Sequence, residues 1–439
     1  MLAGGVLLYA TNEFLTISLL PSAVREIGGE RYYAWVTTVY LVASVAAAST
    51  VGWLLAKLGP RAAYLVGLAV FLLGSVGCAL APTMELLLVG RVVQGAAGGV
   101  LAGLGYAVIN SALPQSLWPK ASALVSAMWG VGTVLGPAAG GLFAQIGLWR
   151  WAFGALAVLT AAVAVLVPLS LPGRSPDRAD APMRIPLSSL LILGLSALSI
   201  SAAGIQRSVG AMVAMMIVGV ALVVVFLVVD RRLPVGVLPK SAFAAGAFKW
   251  NYLTLGLLMA ATMVTMYIPL LGQHTAHLAP LAAGFLAVAL SAGWTAGEVA
   301  SASVTSPTRV RWVVRCAPLV MATGLAVAGL TWRDAAPGTA IVVWAAALAV
   351  SGIGVGLAWP HLSTWAMGRV DDPSEGTVAA AAISTVQLIC GAFGAGLAGV
   401  VINAAGRTDA AGARWLFATF TAVAALAAIA ANRASRRAA

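Results

Sequence analysis

Apolar runs of about 20 residues follow one another from the first residues of this chain to the last, separated by short polar segments. A helix that crosses the hydrocarbon of a bilayer needs about 20 residues. In that setting only helices and closed barrels satisfy their own backbone groups. Composition agrees with the pattern: of 439 residues, 61% are hydrophobic and 9% charged, and the mean hydropathy is +0.98. A soluble domain carries about 25% charged residues. The chain is therefore expected to be an all-α polytopic membrane protein, and a cytosolic enzyme or a secreted scaffold is excluded.

Candidate spans fall near 3–25, 33–56, 61–81, 84–112, 119–146, 149–171, 187–205, 209–229, 246–271, 279–304, 314–332, 338–366, 377–404 and 415–431, fourteen in all. A twelve-span count would require 187–229 not to cross, yet each half of it is long enough. With the N-terminus in the cytoplasm, seventeen of the 25 basic residues lie on the cytoplasmic side, among them Lys57, Arg61, Lys120, Arg231 and Arg315. Seven lie outside, among them Arg25, Arg150 and Arg414, and Arg91 alone sits inside a span. That bias is the positive-inside pattern. It predicts both termini in the cytoplasm of a cell that carries this protein in its plasma or inner membrane. The net charge of +12 then reads as membrane orientation and contact with anionic headgroups, not as nucleic-acid binding.

Three segments emerge. Residues 1–171 form a first six-span bundle, 172–245 a cytoplasmic linker with two additional spans, and 246–439 a second six-span bundle. The linker opens with PGRSPDRADAPMRIP (172–186) and closes with DRRLPVGVLPK (230–240). A faint internal echo links LGPAAGGLFAQIG (135–147) to FGAGLAGVVINAAG (393–406), as a duplicated bundle would. The apolar start has no basic n-region or cleavage site, so no cleaved signal is expected, and a few cytoplasmic residues are expected to precede it.

Ionisable groups in hydrocarbon are costly and mark function. Glu13 lies about ten residues into the first span, near the bilayer midplane at 1.5 Å per residue. Tyr9, Asn12, Glu13 and Thr16 share one helix face, a polar stripe expected to line a water-filled cavity. Ser291, Trp294, Thr295 and Glu298 repeat that spacing nearer the cytoplasmic end. Glu298 either functions there, or snorkels or caps a neighbouring helix. Arg91 shares a face with Gln94, Gly95 and Gly98, and needs a carboxylate, backbone carbonyls or water. It either tunes a facing acid or fixes helix packing. Gly132, Gly136 and Gly140 recur every four residues beside Pro137, a bare stripe on which another helix can rock.

Two histidines, His274 and His277, are too few for a metal site, and His361 is read as satisfying a kinked backbone. Cys78, Cys316 and Cys390 all lie in apolar runs and suggest neither disulfide nor zinc. No phosphate loop, HExxH or GxSxG string occurs, so neither a nucleotide-driven pump nor a hydrolase is expected. No cofactor or metal is expected.

GWLLAKLGPR (52–61) resembles the loop signature of the major facilitator superfamily: Gly, three residues, an acid, a base, any residue, Gly, then basic residues. RVVQGAAGG (91–99) is similar to its fourth-span motif. GVGTVLGPAAGG (130–141) resembles its fifth-span antiporter motif. Gln387, Gly391 and Gly394 match the QxxGxxG pattern of fourteen-span drug/proton antiporters. The resemblance implies two six-helix bundles around a central cavity and proton-driven export by alternating access. It gives Arg91 a role in proton coupling, Gly136 and Pro137 a hinge role, and Gly52, Lys57, Gly59 and Arg61 a place in a cytoplasmic latch. Two departures stand out. Ala56 replaces the loop acid, and Asn12 holds the place, nine residues before Pro21, where many relatives carry the first-span acid.

The expected function is a proton-coupled exporter of amphiphilic small molecules or drugs, with Glu13, Arg91 and Glu298 in proton coupling. Tyr9, Asn12, Thr16, Gln94, Trp129 and Trp294 are the expected cavity residues. The partners are the substrate, protons and membrane lipids, and the protein is expected to be a monomer powered by the proton gradient. The alternatives are an exporter or flippase for lipids or lipid-linked products, and a transport-inactive sensor or assembly protein.

Overall fold

The computed structural model describes residues 2–112, 118–171, 186–206, 208–233, 236–243, 248–368, 376–406 and 408–436. Every regular element among them is helical. Most of the polar loop 172–186, with Arg174, Arg178 and Arg184, lies outside the described residues. In chain order the helices are α1 (Leu2–Ile27), α2 (Tyr33–Ala48), α3 (Val51–Leu80), α4 (Met84–Ala112), α5 (Trp118–Gln145), α6 (Trp149–Ser170), α7 (Leu187–Gly204) and α8 (Val209–Arg232). There follow α9 (Phe248–Thr262), α10 (Ile268–Ala276), α11 (Pro280–Ala302), α12 (Pro307–Thr331), α13 (Gly338–Gly368), α14 (Gly376–Ala405) and α15 (Ala410–Arg436). Among the described residues, eleven helical stretches are long and apolar enough to cross a membrane.

Local chemistry explains several boundaries. α1 stops where Gly28 takes a positive φ of 71° and its N–H bonds the Val24 carbonyl at 2.9 Å, a glycine C-terminal stop. The expected break near 57–60 is a sharp kink inside α3. Gly59 sits there at φ 76° and ψ 169°, a conformation that only glycine adopts at low cost, and Pro60 follows. α9 and α10 are joined by the 3₁₀ segment Met263–Tyr267 into one apolar stretch, Lys249–Ala276, which runs five residues beyond the expected 246–271. α12 starts at Pro307, seven residues before the expected 314. Arg309 and Arg311 are thus helical and not in a loop, because a helix continues past the hydrocarbon for as long as its polar residues can be hydrated.

The chain divides into two compact units: Met1–Leu187 with Pro280–Gly284, and Ser188–Ala279 with Phe285–Ala439. In the first, α1 runs along α5 and also touches α4 and α6. α2 packs on α4, and α3 packs on α4 and α6. In the second, α9 packs on α14, α15 and α13, while α12 packs on α13 and α15. The pairing of α1 with α5 and of α3 with α4 and α6 thus has a counterpart in α9 with α14 and α12 with α13 and α15. The two strings that echo each other in sequence lie in α5 and α14, and each brings a glycine onto the matching helix. A Cβ on Gly140 would strike the Leu15 carbonyl of α1, and one on Gly394 the Ala260 carbonyl of α9. α7 and α8 group with the second unit. Gly204 and Ser201 of α7 lie against Val400 and Gly396 of α14, and Ser196 donates to the Gly219 carbonyl of α8 at 3.0 Å.

Candidate functional site

The most polar part of the first unit's interior is built around Arg91 on α4, which is 1% exposed. A guanidinium stays charged in a protein, so burial demands that its donors be satisfied. Arg91 Nε donates to the Val36 carbonyl of α2 at 3.2 Å. Nη1 donates to Asn12 Oδ1 of α1 at 3.2 Å and to Gln94 Oε1 at 2.8 Å. The plane of the group lies over the Tyr40 ring, with Cζ 4.1 Å from its centroid, a cation–π contact. Gln94 passes the network to α3: its Nε2 donates to Ser75 Oγ at 2.9 Å, and Cys78 Sγ approaches its Oε1 at 3.4 Å.

Glycines make that reach possible. A Cβ on Gly95 would meet the Tyr40 backbone and one on Gly99 the Ser44 backbone, so α4 lies close against α2. Ser44 Oγ seals the seam on the Gly95 carbonyl at 2.9 Å. A Cβ on Gly74 would come within 2.7 Å of the Gln94 nitrogen, so α3 is equally near. The string RVVQGAAGG therefore supplies a cation, its amide partner and the bare surface that lets both be enclosed.

The stripe on α1 divides. Tyr9, Asn12 and Thr16 are buried at 2%, 0% and 1% exposure, packed inside the unit instead of lining open water. Thr16 Oγ1 donates back to the Asn12 carbonyl at 2.8 Å, and Tyr9 lies edge-on to Trp129 of α5 with centroids 5.6 Å apart. Glu13 alone of the four is partly exposed. Among the described residues it has neither a hydrogen bond nor an ion pair. Arg91 is thus held in part by the amide in the acid's usual place, while the acid one residue later makes no hydrogen bond among the described residues. Tyr9 Oη, Tyr40 Oη and Asn12 Nδ2 are buried with no hydrogen-bond partner of normal geometry among the described residues.

The glycine stripe of α5 faces α1 at this level. A Cβ on Gly132 would lie 2.6 Å from Ala10 Cβ, and one on Gly136 2.6 Å from Phe14 Cβ and 2.9 Å from the Leu15 nitrogen. α5 is continuous through Pro137. At the end of the unit near the Gly59 kink, Arg61 Nε and Nη2 donate to the Leu171 and Pro168 carbonyls at 2.9 and 2.8 Å. These are acceptors that the C-terminus of α6 leaves unpaired. With Ala56 in the acid's place, Arg61 caps the end of α6. Lys57 Nζ lies 5.0 Å from the Trp53 ring centroid, and Gly52 sits one turn before Ala56.

In the second unit, Glu298 and Trp294 on α11 face α13. Trp294 packs on Trp359 with centroids 5.0 Å apart. Both residues are partly exposed. Close by, Ser301 Oγ donates to the Leu357 carbonyl at 2.7 Å and lies 2.8 Å from His361 Nε2. Sequence reasoning missed the seam that holds this cluster: Cβ atoms on Gly293, Gly297, Gly352 and Gly356 would each strike a carbonyl of the facing helix, α13 or α11. The spacing of four in both helices was the available signal. His274 and His277 sit at the end of α10, where His274 Nδ1 is 2.8 Å from Thr408 Oγ1. No cluster able to hold a metal occurs among the described residues.

A stack of membrane-crossing helices around a fixed internal cation and glycine seams has the build of a polytopic membrane transport protein. The family model for the Major Facilitator Superfamily matches residues 2–395, and the chain belongs to that superfamily. It is 55% identical to a probable multidrug-efflux transporter of Mycobacterium tuberculosis over all of this chain and 94% of that relative. It is 24% identical to multidrug resistance protein 3 of Bacillus subtilis over 85% of this chain and 73% of that one. Among solved structures, a POT family transporter in complex with 5-aminolevulinic acid aligns with a TM-score of 0.70 at 11% identity, covering 97% of this chain and 94% of that one. A bacterial homologue of the human lysosomal transporter Spinster aligns at 0.66 and 14%, covering 99% and 96%. At such identities these structures bear on the fold alone. The family and its relatives identify a transporter and not an enzyme.

Proposed function

We propose that this protein is a proton-coupled exporter of amphiphilic small molecules, drugs among them, working by alternating access in the cell membrane with both termini in the cytoplasm. In this reading the chain has fourteen spans: two six-helix bundles plus α7 and α8. The matching helix pairings within the two units support the duplicated bundles. The names of the full-length relatives favour drug export over the lipid exporter or the transport-inactive sensor.

One observation carries the coupling assignment. Arg91 is held by Val36, Asn12, Gln94 and the Tyr40 ring, with no carboxylate among its partners, so in this reading Glu13 is left to take up and release a proton. Protons drive a cycle only if they favour one conformation over the other, since equal binding to both shifts nothing. Glu13 lies on the helix that the α5 glycine stripe abuts, so protonation there acts on a close helix contact. Glu298, on the α11–α13 seam, is the second candidate acid.

The test is efflux of a lipophilic dye from liposomes holding the purified protein under an imposed proton gradient. Glu13→Gln is expected to abolish the gradient dependence. Arg91→Ala is expected to cut transport by at least about tenfold, as buried intramembrane charges commonly serve transport. Glu298→Gln ranks the second acid. Undiminished gradient-driven efflux by Glu13→Gln would overturn the assignment.

A further inference from the structure

The structure gathers a group of cations toward one end of the second unit. Arg433 of α15 lies over the Trp250 ring of α9, with Cζ 4.5 Å from the centroid, and Lys249 Nζ is 5.7 Å from the same ring. Arg315 of α12 donates from Nε to Ser435 Oγ of α15 at 2.6 Å. The start of α9, the third turn of α12 and the end of α15 therefore meet here. Arg309 and Arg311 stand one to two turns before Arg315, and Trp312 between them is 65% exposed. Among the described residues no carboxylate pairs with any of these five cations. The first turn of α12 also has no side-chain cap on its free N–H groups.

We infer that this face binds the phosphate headgroup of an anionic phospholipid. Five cations that no carboxylate among the described residues pairs, presented toward the end of membrane-crossing helices, call for an anion. Guanidinium forks suit phosphate, which an arginine can bind through two parallel hydrogen bonds. A helix N-terminus adds backbone donors of the same polarity. The exposed Trp312 ring selects the source: an amphipathic ring of this kind sits at headgroup depth, so the anion comes with acyl chains attached. A free phosphate ion in water would gain nothing from that ring. The inference concerns lipid contact only and is independent of the proton path.

Native mass spectrometry of the full chain released from detergent micelles tests it, with dioleoylphosphatidylglycerol and dioleoylphosphatidylcholine supplied in equal amounts. The expected result is preferential retention of phosphatidylglycerol, reduced about fivefold or more by the pair Lys249→Gln and Arg433→Gln, from the usual effect of one or two basic residues at an anionic surface. Arg433→Lys should keep most of the preference. The pair Arg309→Gln and Arg311→Gln, the first exposed and the second partly exposed, gives a second readout should the first pair disturb folding. Arg231→Gln with Arg232→Gln, at the end of α8, is the control and should change little. Equal retention of both lipids would overturn the inference. So would an equal loss in the α8 control, or displacement of the lipid by millimolar inorganic phosphate.

Discussion

Asn12 is what makes a buried Arg91 tolerable. The residue before the acid takes the position from which a side chain reaches the guanidinium, and an amide there supplies an acceptor without a charge. Replacing it by leucine leaves a buried cation short of one partner, a loss on the order of 1–3 kcal/mol. Asn12→Asp keeps the acceptor and adds a counter-charge, so it should unfold near the wild-type temperature. Thermal unfolding in detergent, followed by labelling of the buried Cys78 thiol as it becomes accessible, separates the two. Equal damage from both substitutions would contradict this account of Asn12. Much of the site was legible at this scale: the spacing placed Arg91 with Gln94 on one face, and the motif offset singled out Asn12 against Glu13. What the sequence could not disclose was that the stripe would split, with three members enclosed and only Glu13 left partly open. That depends on how closely α2 and α5 approach, and periodicity along one helix carries no information about its neighbours' distance.

Close helix contacts are the main device at the scale of elements, and glycine position decides where they occur. Gly136→Ala places a Cβ 2.6 Å from Phe14 Cβ and should cost about 1–3 kcal/mol as an overpacked contact. Gly130→Ala, six residues earlier on α5, meets nothing within 4 Å and should be silent in the same unfolding assay. Equal effects would show that α5 does not rest on α1 in this way. The opposite end of the first unit is tied by ions. Glu26 pairs with Arg150 of α6 and accepts from Trp149 Nε1 at 2.6 Å, while Arg150 Nη2 reaches the Ala81 carbonyl at 3.1 Å. The Arg150 hydrogen bond first, and then that of Trp149, hold the Glu26 carboxyl below its ordinary value of 4.5. A lowered value means this tie is fully present above about pH 4.5 and is lost as the pH falls through the folded-state value. Wild-type unfolding temperature should therefore decline below that pH more steeply than that of Glu26→Gln, by a small amount because the pair is half exposed. Parallel pH profiles would exclude the pair as a pH-dependent tie. The helices themselves were legible as apolar runs. Their ends were not, because residues such as Arg309, Arg311 and Arg433 extend helices through the polar interface, where hydropathy no longer marks them.

For the whole molecule, the question that charge and length pose together is how many times the chain crosses. α8 is apolar on every side and mostly exposed, with a mean hydropathy of 3.2 over its best window, and α7 before it packs on α14. A helix that apolar and that exposed is stable only in lipid. Arg231 and Arg232 at its end, with Lys240 soon after, should be retained in the cytoplasm with the other basic segments. If α7 and α8 both cross, Gln206 between them lies outside while the two ends of the pair lie inside. Alkaline phosphatase joined after Gln206 should then be active, and the same reporter joined after the end of α8 should be silent. A fluorescent protein joined at the C-terminus should fold and glow in the cytoplasm. An inactive fusion at Gln206 would mean that the pair lies on the membrane without crossing it. The second bundle would still keep its orientation, because removing two crossings leaves the parity unchanged. The experiment thus tests the fourteen-span reading separately from the direction of the chain, which the C-terminal reporter checks by itself.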